Sequence, residues 1–340
     1  YNALLILPVA HQSVGTLIRR GDAELAKMDI EARIEAGETL EAVDDLTDEY
    51  RELLLGMVQF TANSEFMGAY SERPWIGKAP SFQRKLALEA KIQDEIGHAQ
   101  MQYRLAENLG ADREEMLTDL LTGESGFGNA FHYPIEEWLD IAMIAWLVDG
   151  AAMYLQHSLM SCSYGPYARI MRRICREEEF HVRHGEHIVA EYATGSRAMQ
   201  EALQDAVDRW WPRAVLFYGL SDSESEKSQR MIELDIKPKS NDTYRQEFFD
   251  EKVPKLRKYG VDLPDDKLEY DEQAEEWNYT DPDWEEFKTI ATEGGPAYWE
   301  RVNGRMGAFE ENAWVRDALA AYHDGSQGRF SNDPASVAGD

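Results

Sequence analysis

The chain has 340 residues, of which 43% are hydrophobic, so it is long and apolar enough to bury a sizeable core. Its 64 acidic residues outnumber its 35 basic residues, and the net charge of −29 excludes nucleic acid or an anionic membrane surface as the main partner. Arginine outnumbers lysine among the few basic residues, and we interpret the acidic excess as that of a halophilic protein in a high-salt cytoplasm.

Cysteine content and hydropathy predict a cytoplasmic protein. Cys162 and Cys175 are too few for a disulfide framework and lack metal-ligand spacing, so we expect small buried side chains in a reducing compartment. The N-terminal apolar run is short, is broken by Pro8 and has no basic region before it, so it does not predict a signal peptide. No stretch approaches eighteen uninterrupted apolar residues, so we expect no membrane span.

Two predicted helices form a first hairpin. Residues 47 to 70, "TDEYRELLLGMVQFTANSEFMGAY", carry apolar side chains close to helical spacing after a cap at Thr47 or Asp48. The loop "SERPWIGKAPS" follows, and a second helix is predicted from Ser81 to Leu109, ending at Gly110. We expect the two helices to pack antiparallel.

A second hairpin follows a long connection. Residues 110 to 134 are rich in glycine and contain one predicted short helix. An apolar helical run over 135 to 160, the turn-like "SCSYGPY" and a helix from about Ala168 to Tyr192 come next. Two hairpins joined by a long crossover are typical of ferritin-like four-helix bundles, so the predicted fold class is all-α.

The rest of the chain extends beyond the bundle. A fifth helix is predicted over 196 to 218, and we assign its aromatic end to the core. The acidic remainder shows short helical segments around 241 to 259 and 283 to 291, and it ends in a tail that we expect to be loose. We divide the chain into an N-terminal segment (1–46), the bundle (47–220) and an extension (221–340) that packs on the bundle or on partner subunits.

The second helix of each hairpin carries a Glu-x-x-His motif. Glu95 and His98 lie in "DEIGH", and Glu178 and His181 lie in "REEEFH". Residues three apart share one face of an α-helix, so each motif offers a carboxylate and an imidazole to the same point. One such motif occurs by chance on acidic, solvated helices, but two on successive hairpins match the design of di-iron and di-manganese bundles.

That design also requires one carboxylate from each first helix. In a symmetric hairpin, residues that lie side by side are equidistant from the turn. The midpoint between Glu65 and Glu95 falls at Pro80, and the midpoint between Asp149 and Glu178 falls inside "SCSYGPY". Asp149 lies in the apolar run "AMIAWLVDGAAMYL", where a lone carboxylate is expensive to bury without a cation or a proton.

The predicted metal site therefore has six ligands, which are Glu65, Glu95, His98, Asp149, Glu178 and His181. Glu72, in the predicted loop, competes with Glu65 for the position on the first helix. Four carboxylates balance the charge of two divalent ions, which makes the site tolerable in a buried setting. Mixed oxygen and nitrogen ligands favour iron, with manganese as the second choice, over zinc or an iron–sulfur cluster.

The chain also resembles the catalytic A subunits of the phenylacetyl-CoA monooxygenases, the ring 1,2-epoxidases of aerobic phenylacetate catabolism. The segments "NSEF", "RKLALEAKIQDEIGHAQ", "WLVDGAA", "SYGPYARIMRRICREEEFH" and "WWPRAVLFYG" carry the resemblance, which is close over residues 50 to 220 and looser beyond. The aspartate in "WLVDGAA" makes it specific, because most such bundles have glutamate there. Carried over residue by residue, the family's six iron ligands are the six residues given above.

The resemblance implies an oxidoreductase whose di-iron centre activates O₂ and inserts one oxygen across the aromatic ring of phenylacetyl-CoA. It also implies NADPH electrons arriving through a separate reductase, a metal-free partner subunit of the same bundle fold, and a small bridging subunit. The sequence has no Rossmann glycine fingerprint, which fits an external electron donor. The CoA phosphates need cations, and Lys91, Arg84 and Lys85 are the candidates.

Three alternatives stay open. A related enzyme would epoxidise another aryl-CoA thioester with the same site. A ferroxidase or iron-storage protein of the ferritin kind would use similar ligands, although the long extension and the aspartate ligand argue against it. A non-catalytic scaffold subunit would not need to retain all six ligands.

Overall fold

A computed structural model describes residues 30–221, 223 and 225–329, without the side chains of 305, 306, 308, 309 and 323–329. Residues 1–29 of the predicted N-terminal segment lie outside this part, and 30–35 are helical. Strands in the described part are limited to one antiparallel hairpin of β1 (Glu269–Asp271) and β2 (Glu276–Asn278). The all-α prediction is confirmed.

Four long helices form the predicted ferritin-like bundle. The first five helices are α1 (Asp48–Glu72), α2 (Phe82–Asn108), α3 (Arg113–Thr122), α4 (Trp138–Leu159) and α5 (Gly165–Ala193). Short 3₁₀ turns lie at Val43–Asp45, Arg73–Lys78 and Asn129–His132. Helices α1 and α2 pack as one hairpin, α4 and α5 pack as the other, and α2 contacts α5 between the hairpins. Helix α3 lies in the crossover.

Capping residues explain where these helices begin and end. The side chains of Thr47 and Ser81 each accept a hydrogen bond from a backbone N–H three residues on, at the starts of α1 and α2. Gly110, just after α2, has a φ of 104°, which glycine adopts without strain. Helix α5 begins at Gly165, earlier than predicted, because Pro166 is tolerated in a first turn where its missing N–H leaves no bond unmade.

Helix α4 is the buried helix at the centre of the bundle. It is long and apolar enough to cross a membrane, but 72% of its apolar window is buried inside the protein, as in the core helix of a bundle. A π-helical turn, Ile144–Val148, interrupts α4 directly before Asp149, and such turns are frequent at functional sites. Helix α5 approaches this turn closely, because a Cβ on Gly185 would lie 2.7 Å from the backbone N of Trp146.

The C-terminal part is more helical than predicted. It contains α6 (Arg197–Leu216), α7 (Glu226–Glu233), α8 (Asn241–Lys258), α9 (Trp284–Glu293), α10 (Tyr298–Glu311) and α11 (Ala313–Arg329). Trp210 and Trp211 of α6 are buried in the main core, as predicted. Helices α7, α10 and α11 were not predicted. The prediction of a loose C-terminal tail is wrong as far as Arg329, because α11 runs to that residue. Residues 330–340 lie outside the described part, and the division into three segments stays a prediction.

Candidate metal centre

The six predicted ligands come together in the middle of the bundle. Glu65 comes from α1, Asp149 from α4, and the two Glu-x-x-His motifs from α2 and α5. Their ligand atoms form two groups, Glu65–Glu95–His98–Glu178 and Glu95–Asp149–Glu178–His181, and the atoms within each group lie within 4.8 Å of one another. Glu95 and Glu178 belong to both groups. Two ions bound here would therefore share two carboxylates.

Both histidines direct Nδ1 toward the carboxylates. His98 Nδ1 lies 3.3 Å from Glu178 Oε1 and 3.6 Å from Glu65 Oε2. His181 Nδ1 lies 2.9 Å from Glu178 Oε2 and 3.4 Å from Glu95 Oε1. Each ring thus presents one nitrogen to one of the two groups.

The remote ring nitrogens bind carboxylates on the opposite helix. His98 Nε2 of α2 lies 2.9 Å from Glu177 Oε2 of α5, and His181 Nε2 of α5 lies 3.4 Å from Asp94 Oδ2 of α2. Each of these carboxylates comes immediately before the glutamate of a Glu-x-x-His motif. A carboxylate at Nε2 favours the proton on that nitrogen, which leaves the Nδ1 lone pair directed at the cluster.

Lys91 lies inside the cluster, one turn before Glu95. Its Nζ is 2.6 Å from Glu95 Oε1, 3.0 Å from Asp149 Oδ2 and 3.0 Å from Glu72 Oε1, and its side chain is 1% exposed. The prediction that Lys91 binds CoA phosphate is therefore wrong, because an ammonium buried among three carboxylates cannot contact a phosphate in solvent. Burial opposes its charge, but Asp149, Glu72 and Glu95 outweigh burial and raise the pKa of Lys91.

Glu72 is a partner of Lys91 and not a member of either group. It is the last residue of α1 and is fully buried, whereas sequence analysis placed it in a loop. The carboxylate that α1 brings to the cluster is Glu65. Because Lys91 and Glu72 neutralise each other, the remaining four carboxylates match two divalent cations in charge.

The electrostatics of the cluster fit bound cations. Burial raises the pKa of Glu65 and of Asp149, so the protein alone opposes the charge on both carboxylates. His98 Nδ1 and Asp149 Oδ2 are buried without a hydrogen bond; Lys91 is near Asp149 Oδ2 but is not oriented to donate to it. Buried lone pairs left unpaired carry a free-energy penalty that a cation would remove. The oxygen and nitrogen donors present therefore fit a pair of divalent ions.

A cavity of about 580 Å³ adjoins the carboxylate side of the cluster. Its inner lining includes Glu65, Glu95, Asp149 and Glu178, whereas neither His98 nor His181 is among the lining residues. Apolar side chains from the bundle and the crossover, together with the segment 287–299, form much of the remaining wall. The cluster thus has a carboxylate side that faces the cavity and a histidine side that faces away from it.

The other predicted CoA contacts do not line this cavity. Arg84 Nη2 lies 2.7 Å from Glu191 Oε2 on α5, and neither Arg84 nor Lys85 is among the lining residues. Lys237 does line the cavity, and its Nζ lies 2.7 Å from the side-chain oxygen of Asn241. Sequence reasoning missed Lys237, because nothing in its local sequence connects it with the two motifs.

Sequence reasoning also missed Gln156. Its Nε2 lies 3.3 Å from Glu65 Oε1, and Gln156 lines the cavity beside the cluster. A signal was present, because Gln156 follows Asp149 by two helical turns and lies on the same face of the apolar helix α4.

Two comparisons with known proteins agree on the class of protein that this chain is similar to. Residues 28–314 match the family described as phenylacetic acid catabolic protein. A curated relative from Escherichia coli (strain K12), the A component of 1,2-phenylacetyl-CoA epoxidase, is 39% identical over 292 residues. The match covers 86% of this chain and 94% of that relative.

Proposed function

The chain belongs to the phenylacetic acid catabolic protein family, and from this membership we propose that it is the oxygen-activating subunit of a phenylacetyl-CoA 1,2-epoxidase. The observation that carries the proposal is the pair of four-ligand groups that share Glu95 and Glu178 at the inner end of a cavity. The reaction consumes O₂, two electrons and two protons, and it yields the ring epoxide and one water.

We propose iron as the metal, with manganese less suited. Glu65 and His98 would hold one ion, Asp149 and His181 would hold the other, and Glu95 and Glu178 would serve both. When bound, this pair of ions supplies the redox chemistry that activates O₂. The carboxylates of Asp94 and Glu177 fix the ring orientation and tautomer of the ligand histidines through Nε2.

The cavity accounts for binding of an aryl-CoA thioester. Apolar side chains such as Val148, Leu155 and Phe127 line it and exclude water from the ring. A ferroxidase does not need an apolar cavity of this size, so iron storage fits the structure less well than epoxidation.

The proposed reaction needs a separate electron donor and partner subunits. The two cysteines are both buried and are too few to hold an iron–sulfur cluster. We therefore propose that NADPH electrons arrive through a separate reductase. Because the relative is named as one component of a multi-subunit epoxidase, we also propose two protein partners, a metal-free subunit with the bundle fold and a small bridging subunit.

Reconstitution with the partner subunits and the reductase tests the proposed function. NADPH- and O₂-dependent loss of phenylacetyl-CoA is followed for the wild type, for Glu95→Ala and for the matched control Glu179→Ala. We expect Glu95→Ala to lose at least 100-fold in rate and Glu179→Ala to keep it, because Glu179 is exposed on α5 outside both groups. Equal turnover by Glu95→Ala would contradict the site. No product from iron-loaded wild type with any of several aryl-CoA thioesters would contradict the reaction.

A further inference from the structure

Helix α2 has an exposed face that carries no charge. The eight exposed residues from 82 to 100 are all uncharged, and they are Phe82, Gln83, Leu86, Ala90, Gln93, Ile96, Gly97 and Gln100. At about 100° per residue, these positions fall within about 140° of the helix circumference. They form one stripe, the outer α2 stripe, which runs about 27 Å along the helix. The six charged side chains of the same stretch are all partly or fully buried.

Helix α5 shows that such a stripe is unusual in this protein. The exposed residues of α5 from Arg169 to Glu191 are five arginines, two glutamates and one histidine. Charged residues make up 29% of the whole chain. A helix face that stays in water thus carries charge in this protein, as charged side chains are mostly exposed. Contact with solvent therefore does not explain the composition of the outer α2 stripe.

Three large apolar side chains lie on the outer α2 stripe. Phe82 is 75% exposed, Leu86 is 48% exposed and Ile96 is 51% exposed. A single exposed apolar residue needs no explanation, but several on one uncharged face mark an interaction site. Depletion of charge together with exposed apolar and aromatic side chains is the composition of the core of a protein interface.

Gly97 leaves a depression in this stripe. Among the described residues, no atom lies within 4 Å of the position that a Cβ on Gly97 would take, whereas Gly68 and Gly185 each have an atom within 3.0 Å. Glycine lowers helix stability relative to alanine, so contacts within the described part of the chain do not explain Gly97. With Ala90 two turns earlier, it opens grooves between the larger side chains, into which side chains of a second helix fit.

The composition and shape of the stripe indicate the kind of partner. Transient complexes use charged surfaces to steer their encounter, whereas permanent subunit interfaces are more hydrophobic. A straight stripe about five turns long suits a helix packed along α2. A second copy of this chain would bring another net charge of −29 to the contact, which opposes self-association. The features together favour a different subunit that stays bound.

We propose that the outer α2 stripe is the surface on which a second helical subunit of the epoxidase packs, through a long helix with an uncharged, apolar face. The proposal rests on the proposed function, because a multi-subunit epoxidase supplies such a subunit. The inner face of α2 carries Glu95 and His98 of the cluster. One helix thus presents a Glu-x-x-His motif inward and the partner surface outward, and the bound subunit holds that helix in place.

Sedimentation velocity of the metal-free chain mixed with the metal-free bundle subunit, without substrate, tests the surface. The test variants are Leu86→Glu and Ile96→Glu. The matched control is Leu319→Glu, because Leu319 is 54% exposed on α11. We expect each test variant to weaken binding at least tenfold and the control to stay within twofold. Since all three side chains are exposed, the isolated variants should keep the circular dichroism of the wild type.

Gly97→Leu separates docking from a role in folding. In the isolated chain this variant should raise the unfolding temperature, because leucine has the higher helix propensity and its Cβ meets no atom of the described residues. In the mixture it should weaken binding at least tenfold, because its side chain fills the depression that the partner helix needs. A variant that leaves binding within twofold would contradict the close approach of the partner at Gly97.

Cross-linking identifies the occupant. A photo-cross-linker in place of Gln93, which is exposed on α2, should capture the bundle subunit, and one in place of Glu179 on α5 should not. Cross-links from position 93 to a second copy of this chain, to the reductase or to residues 1–29 would overturn the proposal, as would binding within twofold for both Leu86→Glu and Ile96→Glu. These measurements need neither iron nor turnover, so a failure to form epoxide contradicts the proposed function alone.

Discussion

Replacing Lys91 with methionine should destabilise the metal-free protein far more than the metal-bound protein. In the metal-free protein, the Lys91 ammonium is the cation that contacts Glu72, Glu95 and Asp149, at 2.6 to 3.0 Å. On the proposed assignment, bound metal would engage Glu95 and Asp149, which leaves Glu72 as the carboxylate that depends on the lysine. Lys91 and one of the two ions thus neutralise the same pair of carboxylates.

The expected magnitude follows from the burial of these groups. Removing one partner of a buried ion pair costs about 3–5 kcal/mol, and Lys91 is 1% exposed. In a large domain 1 kcal/mol shifts the unfolding temperature by about 2 °C, so the metal-free variant should unfold roughly 6–10 °C lower than wild type. With Mn²⁺ bound, the lowering of the unfolding temperature should shrink to less than half, since the variant then loses the contact with Glu72 alone.

Differential scanning fluorimetry with and without Mn²⁺ measures both values. Lys288→Met is the matched control, because Lys288 is exposed and pairs only with Glu285 on the surface, where little stability is expected from the pair. An equal lowering of the unfolding temperature with and without Mn²⁺ would refute the idea that the lysine and a metal ion neutralise the same carboxylates.

Three further predictions concern the metal ligands, the helix crossing and acid stability. Asp149→Ala should reduce bound iron from two ions per chain to one by elemental analysis, because only the group with that aspartate loses its own carboxylate; two retained ions would contradict the grouping. Gly185→Ala should cost about 1–3 kcal/mol in urea unfolding, because its Cβ meets the backbone of Trp146, and an unchanged midpoint would contradict the close approach. Burial and Arg301 lower the pKa of His132 to about 4. Between pH 6.5 and 4 the unfolded chain therefore binds a proton that the folded chain does not, so roughly 3 kcal/mol of stability present above pH 6.5 is lost as the pH falls to 4. His132→Phe should be less sensitive to acid over this range, and an equal slope in both proteins would contradict the assignment.

The bundle and the meeting of its six ligands were predictable because both depend on local regularity. Helical spacing fixes which side chains share a face, and a symmetric hairpin fixes which residues lie level with one another. That reasoning brought Asp149 together with Glu178 in advance, although Asp149 belongs to neither motif. Metal binding by the six side chains stays a prediction.

The same helical spacing predicts the buried position of Lys91. Lys91 precedes Glu95 by one helical turn, so an inward-facing Glu95 implies an inward-facing Lys91. Lys91 was instead predicted to bind CoA phosphate, because a lysine on an acidic helix is most often accessible to solvent. The burial of Glu72 at the end of α1 supplies the counter-charge that a local pattern does not reveal.

Local sequence patterns did not predict the outer wall of the cavity. Phe287 and Tyr298 reach the cavity from a part of the sequence far from both motifs, and their acidic surroundings show little apolar periodicity. Their placement depends on long-range contacts, such as the hydrogen bond from the backbone N–H of Ala297 to the carbonyl of His132. Sequence patterns predict helices well and the packing of irregular extensions poorly.

Anomalous diffraction at the iron edge from crystals of the iron-loaded protein tests the central claim most directly. The account predicts two peaks in the bundle, one contacting Glu65 and His98 and the other contacting Asp149 and His181, with Glu95 and Glu178 contacting both. A single peak, or iron bound away from Glu95 and Glu178, would contradict it.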